Sequence, residues 1–224
     1  MVKVVAFDVN ETLLDLRALD AAFEEALGSA GLRAQWFAQA LQLIFVGGLT
    51  GEYVSFDAAQ HAALSMLAER HGRDLTAEDM TGIVDRMRSL PAHPEVAGAL
   101  RRLRPTPLTV VALTNSPPEV AEAQLVASGL RDHLDGVVSA GSVRRLKPAE
   151  EPYLAVARTF DVDISEVRLV AAHWWDVAGA LAAGCRAAFV ARPGMVLSPI
   201  GPRPDIVGAD LDAVADRIIA LDTA

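Results

Sequence analysis

The chain has 224 residues, of which 52% are apolar and 22% charged, a composition that supports a packed core and excludes general disorder. Its net charge of −9 argues against a nucleic-acid surface, and no apolar run reaches the length of a membrane span. The single cysteine, Cys185, rules out an internal disulfide; following Gly184 at the start of an apolar run, it reads as a small buried thiol. The opening stretch MVKVVAFD is too short for a secretory signal, so a reducing, cytoplasmic setting is expected.

Residues 2–7 form an apolar run that ends in Asp8, and a buried parallel strand is expected there. From residue 15 to about 93 strand signals are missing. Leu16, Leu19, Phe23 and Leu27 recur at helical spacing, as do Trp36, Ala40, Leu41 and Ile44, and then Ala59, Ala63, Met66 and Leu67. The stretch VGGLTGEY, residues 46–53, reads as a glycine-bearing break between helices. After residue 105 the two patterns alternate. Strands are expected over 108–113, 136–140, 167–172 and 187–191, and helices over 118–128, 151–160 and 177–183. This arrangement predicts an α/β fold, a doubly wound, Rossmann-like parallel sheet with an inserted α-helical cap. Residues 1–14 and 94–224 are assigned to the core and 15–93 to the cap.

In such a sheet, ligands sit beyond the carboxyl ends of the strands. The polar groups at those ends are therefore the candidate site. The first strand ends in Asp8, the second in Thr114-Asn115-Ser116, the third leads to Lys147, and the fourth runs into His173-Trp174-Trp175-Asp176. Each alone reads as a turn, a helix cap or a solvated charge. Four of them delivered to one edge read as a reactive centre.

These segments, FDVNETL, VVALTNS, LKPAEEPY and LVAAHWWDVAGALAAG, resemble the four ordered motifs of the haloacid dehalogenase-like hydrolase superfamily, over nearly the whole chain. The helical block is similar to the cap of the branch that includes the L-2-haloacid dehalogenases. The resemblance implies that Asp8 is a nucleophile forming a covalent intermediate, that Lys147 holds it, and that Thr12 and Ser116 donate hydrogen bonds to it or to the substrate. Phosphatases of the superfamily place a second, proton-shuttling aspartate where this chain has Asn10, and an acid for Mg²⁺ where it has Ala172. A halide leaving carbon needs no protonation. The expectation is therefore a dehalogenase of small 2-haloacids with no cofactor and no metal. A Mg²⁺-dependent phosphatase is the alternative, and a fold retained for binding alone is the third.

His173 replaces the small amide typical of the branch and is expected either to polarise or deprotonate water, with Asp176 helping to orient it, or to act only as a hydrogen-bonding partner. Trp175 is expected to line an apolar substrate pocket, and Trp174 to pack in the core. The branch brings an arginine from the cap to the halogen, and Phe37 stands in that place here. Arg33 lies a turn earlier, in a register that does not favour it. Halide stabilisation is then expected from Asn10, Asn115 and aromatic edges, with Gln39 and Gln42 as neutral donors or solvated residues. The expected partner is a small anionic substrate, with neither nucleic acid nor membrane, and the apolar cap helices allow a homodimer.

Overall fold

The computed structural model describes residues 1–223. Among these, six strands form one parallel sheet: β1 (Val4–Phe7), β2 (Thr109–Thr114), β3 (Gly136–Ser139), β4 (Val167–Ala171), β5 (Arg186–Val190) and β6 (Ile206–Gly208). Their order across the sheet is β3-β2-β1-β4-β5-β6. β1 is central and wholly buried, which explains its unbroken apolar sequence. Side chains alternate between the two faces. Val4 and Ala6 join Tyr153, Val156 and Val177 in one core cluster, while Val5 and Phe7 join a larger one that continues into the helical cap.

The helices in chain order are α1 (Asp20–Leu27), α2 (Leu32–Thr50), α3 (Phe56–Arg70), α4 (Ala77–Asp85), α5 (Val96–Leu103), α6 (Pro118–Ala127), α7 (Glu150–Thr159), α8 (Trp174–Ala182) and α9 (Leu211–Asp222). The first four build the cap. Trp36 is its anchor: fully buried, 5.2 Å from the Phe23 ring, with its indole donating to the Gln60 carbonyl at 2.9 Å. α4 starts on a reciprocal capping box between Thr76 and Asp79. α7 and α8 cover one face of the sheet; α5, α6 and α9 supply Leu100, Leu125 and Ile218 to the other.

Two features differ from the sequence expectation. The break expected over 46–53 begins later, because α2 runs through Gly47 and Gly48 and ends at the left-handed Gly51. A Cβ on Gly47 would lie 2.7 Å from the Glu52 carbonyl, so this glycine admits a close backbone return and does not end the helix. The second is β6 with α9, which extends the sheet by a three-residue edge strand beyond the last strand expected. The other strands start or stop within two residues of their expected positions.

The parallel register sets Phe7 beside Ala112 and Val170, so three strands end together. Asp8, the Thr114–Ser116 segment and the residues after Ala171 therefore share one edge beneath the cap.

Candidate active site

Asp8 leaves β1 with its N–H bonded to the Val170 carbonyl at 2.9 Å. The chain then turns through Glu11, a non-glycine residue in the left-handed region at φ 62°. The turn brings Thr12 back onto Asp8. Thr12 Oγ1 donates to Asp8 Oδ2 at 2.6 Å and accepts from the Ala172 N–H at 2.9 Å.

Lys147 reaches Asp8 from the loop after β3. Its ammonium, 1% exposed, donates to Asp8 Oδ1 at 2.8 Å, to Asp176 Oδ2 at 2.6 Å and to the Leu113 carbonyl at 3.0 Å. Three N–H donors meet three acceptors, so the buried charge is fully satisfied. Tyr153 completes the far side, its hydroxyl donating to Asp176 Oδ1 at 2.6 Å. Burial alone would raise the Asp8 carboxyl, but Lys147 and His173 outweigh it and hold Asp8 well below the usual aspartate range. Burial lifts Asp176 above that range against the pull of Lys147.

His173 stands on the other side of Asp8. Nδ1 lies 3.2 Å from Asp8 Oδ2 and Nε2 lies 3.0 Å from Glu11 Oε2. The ring is stacked between Phe37, at 5.8 Å and 27°, and Trp175, at 5.1 Å and 28°. Burial lowers its pKa, but the two carboxylates prevail and raise it from 6.5 to about 9. With an acid on each nitrogen, the resting ring is an imidazolium with no free lone pair, held between aromatic faces.

Asp8, Thr12, Lys147 and His173 therefore converge on one carboxylate, and Asp176 joins through Lys147. Several expected arrangements need correction. Asp176 does not orient His173; it lies across the lysine, and Glu11 is the second partner of the histidine. Nor is His173 a free base at rest, because both its nitrogens face carboxylates. Ser116 does not touch Asp8; its Oγ accepts from Asn10 Nδ2 at 3.3 Å. Asn115 is engaged by the Lys147 backbone in both directions, accepting at 2.9 Å and donating at 3.3 Å, so it fixes the lysine loop.

Phe37 occupies the cap position over the site, where it stacks on the His173 ring. Arg33 enters the network indirectly, binding Glu11 at 3.2 Å and Asp20 at 2.6 Å. Gln39 and Gln42 bond to each other on an exposed helix face, which settles them as solvated residues. Trp174, the first residue of α8, is 49% exposed and not in the core. Together with Trp175, Phe45, Leu146 and Pro148 it lines an apolar cavity of about 480 Å³.

Glu11, Tyr153 and Gln124 carry no strand-end signal, and Arg33, weighed only as a stand-in for a cap arginine, acts instead through Glu11. A signal existed for two: Glu11 lies inside the first motif, and Tyr153 inside LKPAEEPY.

The donors present do not fit a hard divalent cation. Both Asp8 and Asp176 already bind the Lys147 ammonium, position 172 is alanine, and among the described residues no cluster of three acidic, histidine or cysteine side chains is placed to hold a metal ion.

A carboxylate nucleophile candidate at the first strand end, a lysine from the third and an acid after the fourth, beneath a helical cap, define a hydrolase of the α/β class. The family model described as haloacid dehalogenase-like hydrolase matches residues 2–184, and the chain belongs to that family. It is 29% identical over 217 residues to the (S)-2-haloacid dehalogenase of Pseudomonas sp. (strain YL), covering 96% of this chain and 94% of the relative. It is 26% identical to haloacetate dehalogenase H-2 of Moraxella sp. (strain B), covering 97% and 98%. The solved L-2-haloacid dehalogenase of Xanthobacter autotrophicus superposes with a TM-score of 0.92 at 25% identity, over 99% of each chain.

Proposed function

We propose that the chain hydrolyses small 2-haloalkanoic acids through an ester on Asp8, without a metal. The observation that carries this reading is the buried Lys147 ammonium shared between Asp8 and Asp176, 2.8 and 2.6 Å away. It keeps Asp8 charged and takes both carboxylates that a divalent ion would need. Asn10 beside it has no proton to give to an alkoxide leaving group, which a phosphate ester requires and a halide does not. The names of the relatives point to the same chemistry.

In the first step an Asp8 oxygen attacks C2 in line, the C–O bond forms, and the C–halogen bond breaks with its electron pair on the halide. Configuration at C2 inverts. Esterification removes the negative charge of Asp8, so one of the two acids holding the His173 proton is gone. Nδ1 then gives up its proton, while Glu11 keeps the Nε2–H and the tautomer. Water attacks the Asp8 ester carbonyl with Nδ1 as base, and the hydroxy acid leaves with its proton restored. Each cycle consumes one water and releases one halide and one proton. Glu11 lines a separate cavity of about 260 Å³ with Arg17 and Arg33, and offers the proton a way out. The proposed roles are thus nucleophile for Asp8, charge partner for Lys147, hydrogen-bond donor to Asp8 for Thr12, water activation for His173 with Glu11, and pocket walls for Phe37 and Trp175. The proposed division gives residues 1–14 and 94–224 to the core, Ala224 lying outside the described residues, and 15–93 to the cap.

Halide release from 2-chloropropionate tests the reading. The expected result is release from the (S) enantiomer in the presence of a chelator, giving (R)-lactate, and none from Asp8→Asn. Hydrolysis of phosphate esters that needs a divalent ion, with no halide released, would contradict it.

A further inference from the structure

The amide of Asn10 is held by a residue outside the strand-end motifs. Gln124, on α6, is fully buried. Its Nε2 donates to the Met87 carbonyl at 2.8 Å and to Asn10 Oδ1 at 3.0 Å. A backbone carbonyl only accepts, so Met87 decides which end of the glutamine faces this junction. Both amide hydrogens are then spent. Asn10 must turn its oxygen toward Gln124 and its amino group toward Ser116, whose Oγ accepts at 3.3 Å. Asn10 Nδ2 keeps a second hydrogen that meets no protein acceptor among the described residues. Gln124 Oε1 is buried without a partner. An apolar side chain of that length would avoid the orphan, so what the position supplies is the donor.

We infer that Gln124 is a positioning residue that locks Asn10 with its N–H outward, so that the site beside Asp8 offers a fixed donor to a small anion. Naming that anion as a haloacid carboxylate or its halide rests on the proposed function. Without Gln124 the asparagine turns over freely, and in half of its orientations it offers an oxygen that repels an anion. Met87 lies in the short turn Arg86–Ser89 that ends the cap's helical segment. The orientation of Asn10 therefore also depends on that segment being seated against α6.

Isothermal titration with sodium bromide and with sodium glycolate measures anion affinity without turnover. Bromide stands for the leaving halide and glycolate for a carboxylate product. Gln124→Met is expected to weaken at least one of them by about tenfold or more, and the anion affected tells which group Asn10 meets. The loss should vanish in an Asn10→Ala background, since Gln124 acts only through Asn10. Gln124→Glu supplies an independent signature: its acid form donates and its carboxylate does not, so its anion affinity should fall with rising pH more steeply than that of wild type. Thermal melts confirm that each variant is folded. Unchanged affinity for both anions in both variants overturns the assignment, as does an equal loss in Asn10→Ala, or a wild type that binds neither anion. Halide release by the wild type is followed alongside. A wild type that binds anions under Gln124 control yet releases no halide would sink the dehalogenase reading and leave this one standing.

Discussion

Two buried cations lie near opposite ends of β4, each between two carboxylates. At the amino end, Arg168 is fully buried and binds Asp222 through Nε and Nη2 at 2.6 and 3.1 Å, and Asp205 through Nη1 and Nη2. Beyond the carboxyl end, Lys147 binds Asp8 and Asp176. The components match, but the geometry does not. The planar guanidinium fork fixes both its acids and stays charged, so it ties α9 and the approach to β6 onto the sheet. The ammonium is a point charge, and one of its acids also faces Thr12 and an imidazolium. Under the proposed chemistry that acid loses its charge once per cycle. A cation between two acids is thus a clamp where all partners are static and a reactive centre where one of them can change.

Variants at the two ends should separate these roles. The largest expected effect is on rate: Asp8→Asn should lower halide release by about 10⁴-fold or more, since it removes the nucleophile. Its melting temperature should stay within a few degrees of wild type, because Lys147 retains Asp176. Arg168→Met should do the reverse. It leaves Asp222 buried and unpaired, with an expected loss of about 3–5 kcal/mol in urea unfolding, while halide release per folded molecule is unchanged.

A smaller effect is expected where α8 crosses the lysine loop. A Cβ on Gly179 would lie 2.7 Å from both the Pro148 carbonyl and the Tyr153 hydroxyl. Gly179→Ala should cost about 1–3 kcal/mol. It should also slow turnover by pushing Tyr153 off Asp176, an effect that Arg168→Met lacks.

The last is a slope with pH. The folded-state pKa of His173, about 9, lies above its ordinary 6.5, so the folded protein holds this proton more tightly than the unfolded chain. Its contribution to stability is fully present below pH 6.5 and is lost as the pH rises through 9. The difference in stability between wild type and His173→Asn should shrink across that interval. A difference that stays constant would mean that the ring is neutral in the folded protein.

The sheet was legible because buried parallel strands are mostly apolar runs; β1 to β5 are, with Arg168 inside β4 and Arg186 at the start of β5 as the charged exceptions. β6 was not, because it has three residues and follows the irregular, proline-bearing stretch SPIGPRP. The strand-end residues could be read because parallel topology forces them to one edge. Glu11 and Gln124 could not, nor could the pairing of Arg33 with Glu11, since these roles depend on where the cap and α6 settle. Gln124 left one trace, a polar residue three positions after the buried Ala121 and next to the buried Leu125. The expected pairing of His173 with Asp176 is not formed, for a related reason. Nearness along α8 does not place two side chains together, and here the lysine separates them.

The central claim is tested most directly by a single turnover in ¹⁸O-labelled water with enzyme in excess. An ester on Asp8 predicts that the hydroxy acid from the first turnover carries ordinary oxygen, while the label appears in the Asp8 carboxyl group. Label in the product hydroxyl on that first turnover, with Asp8 unlabelled, would mean that water attacks C2 directly and would contradict the account.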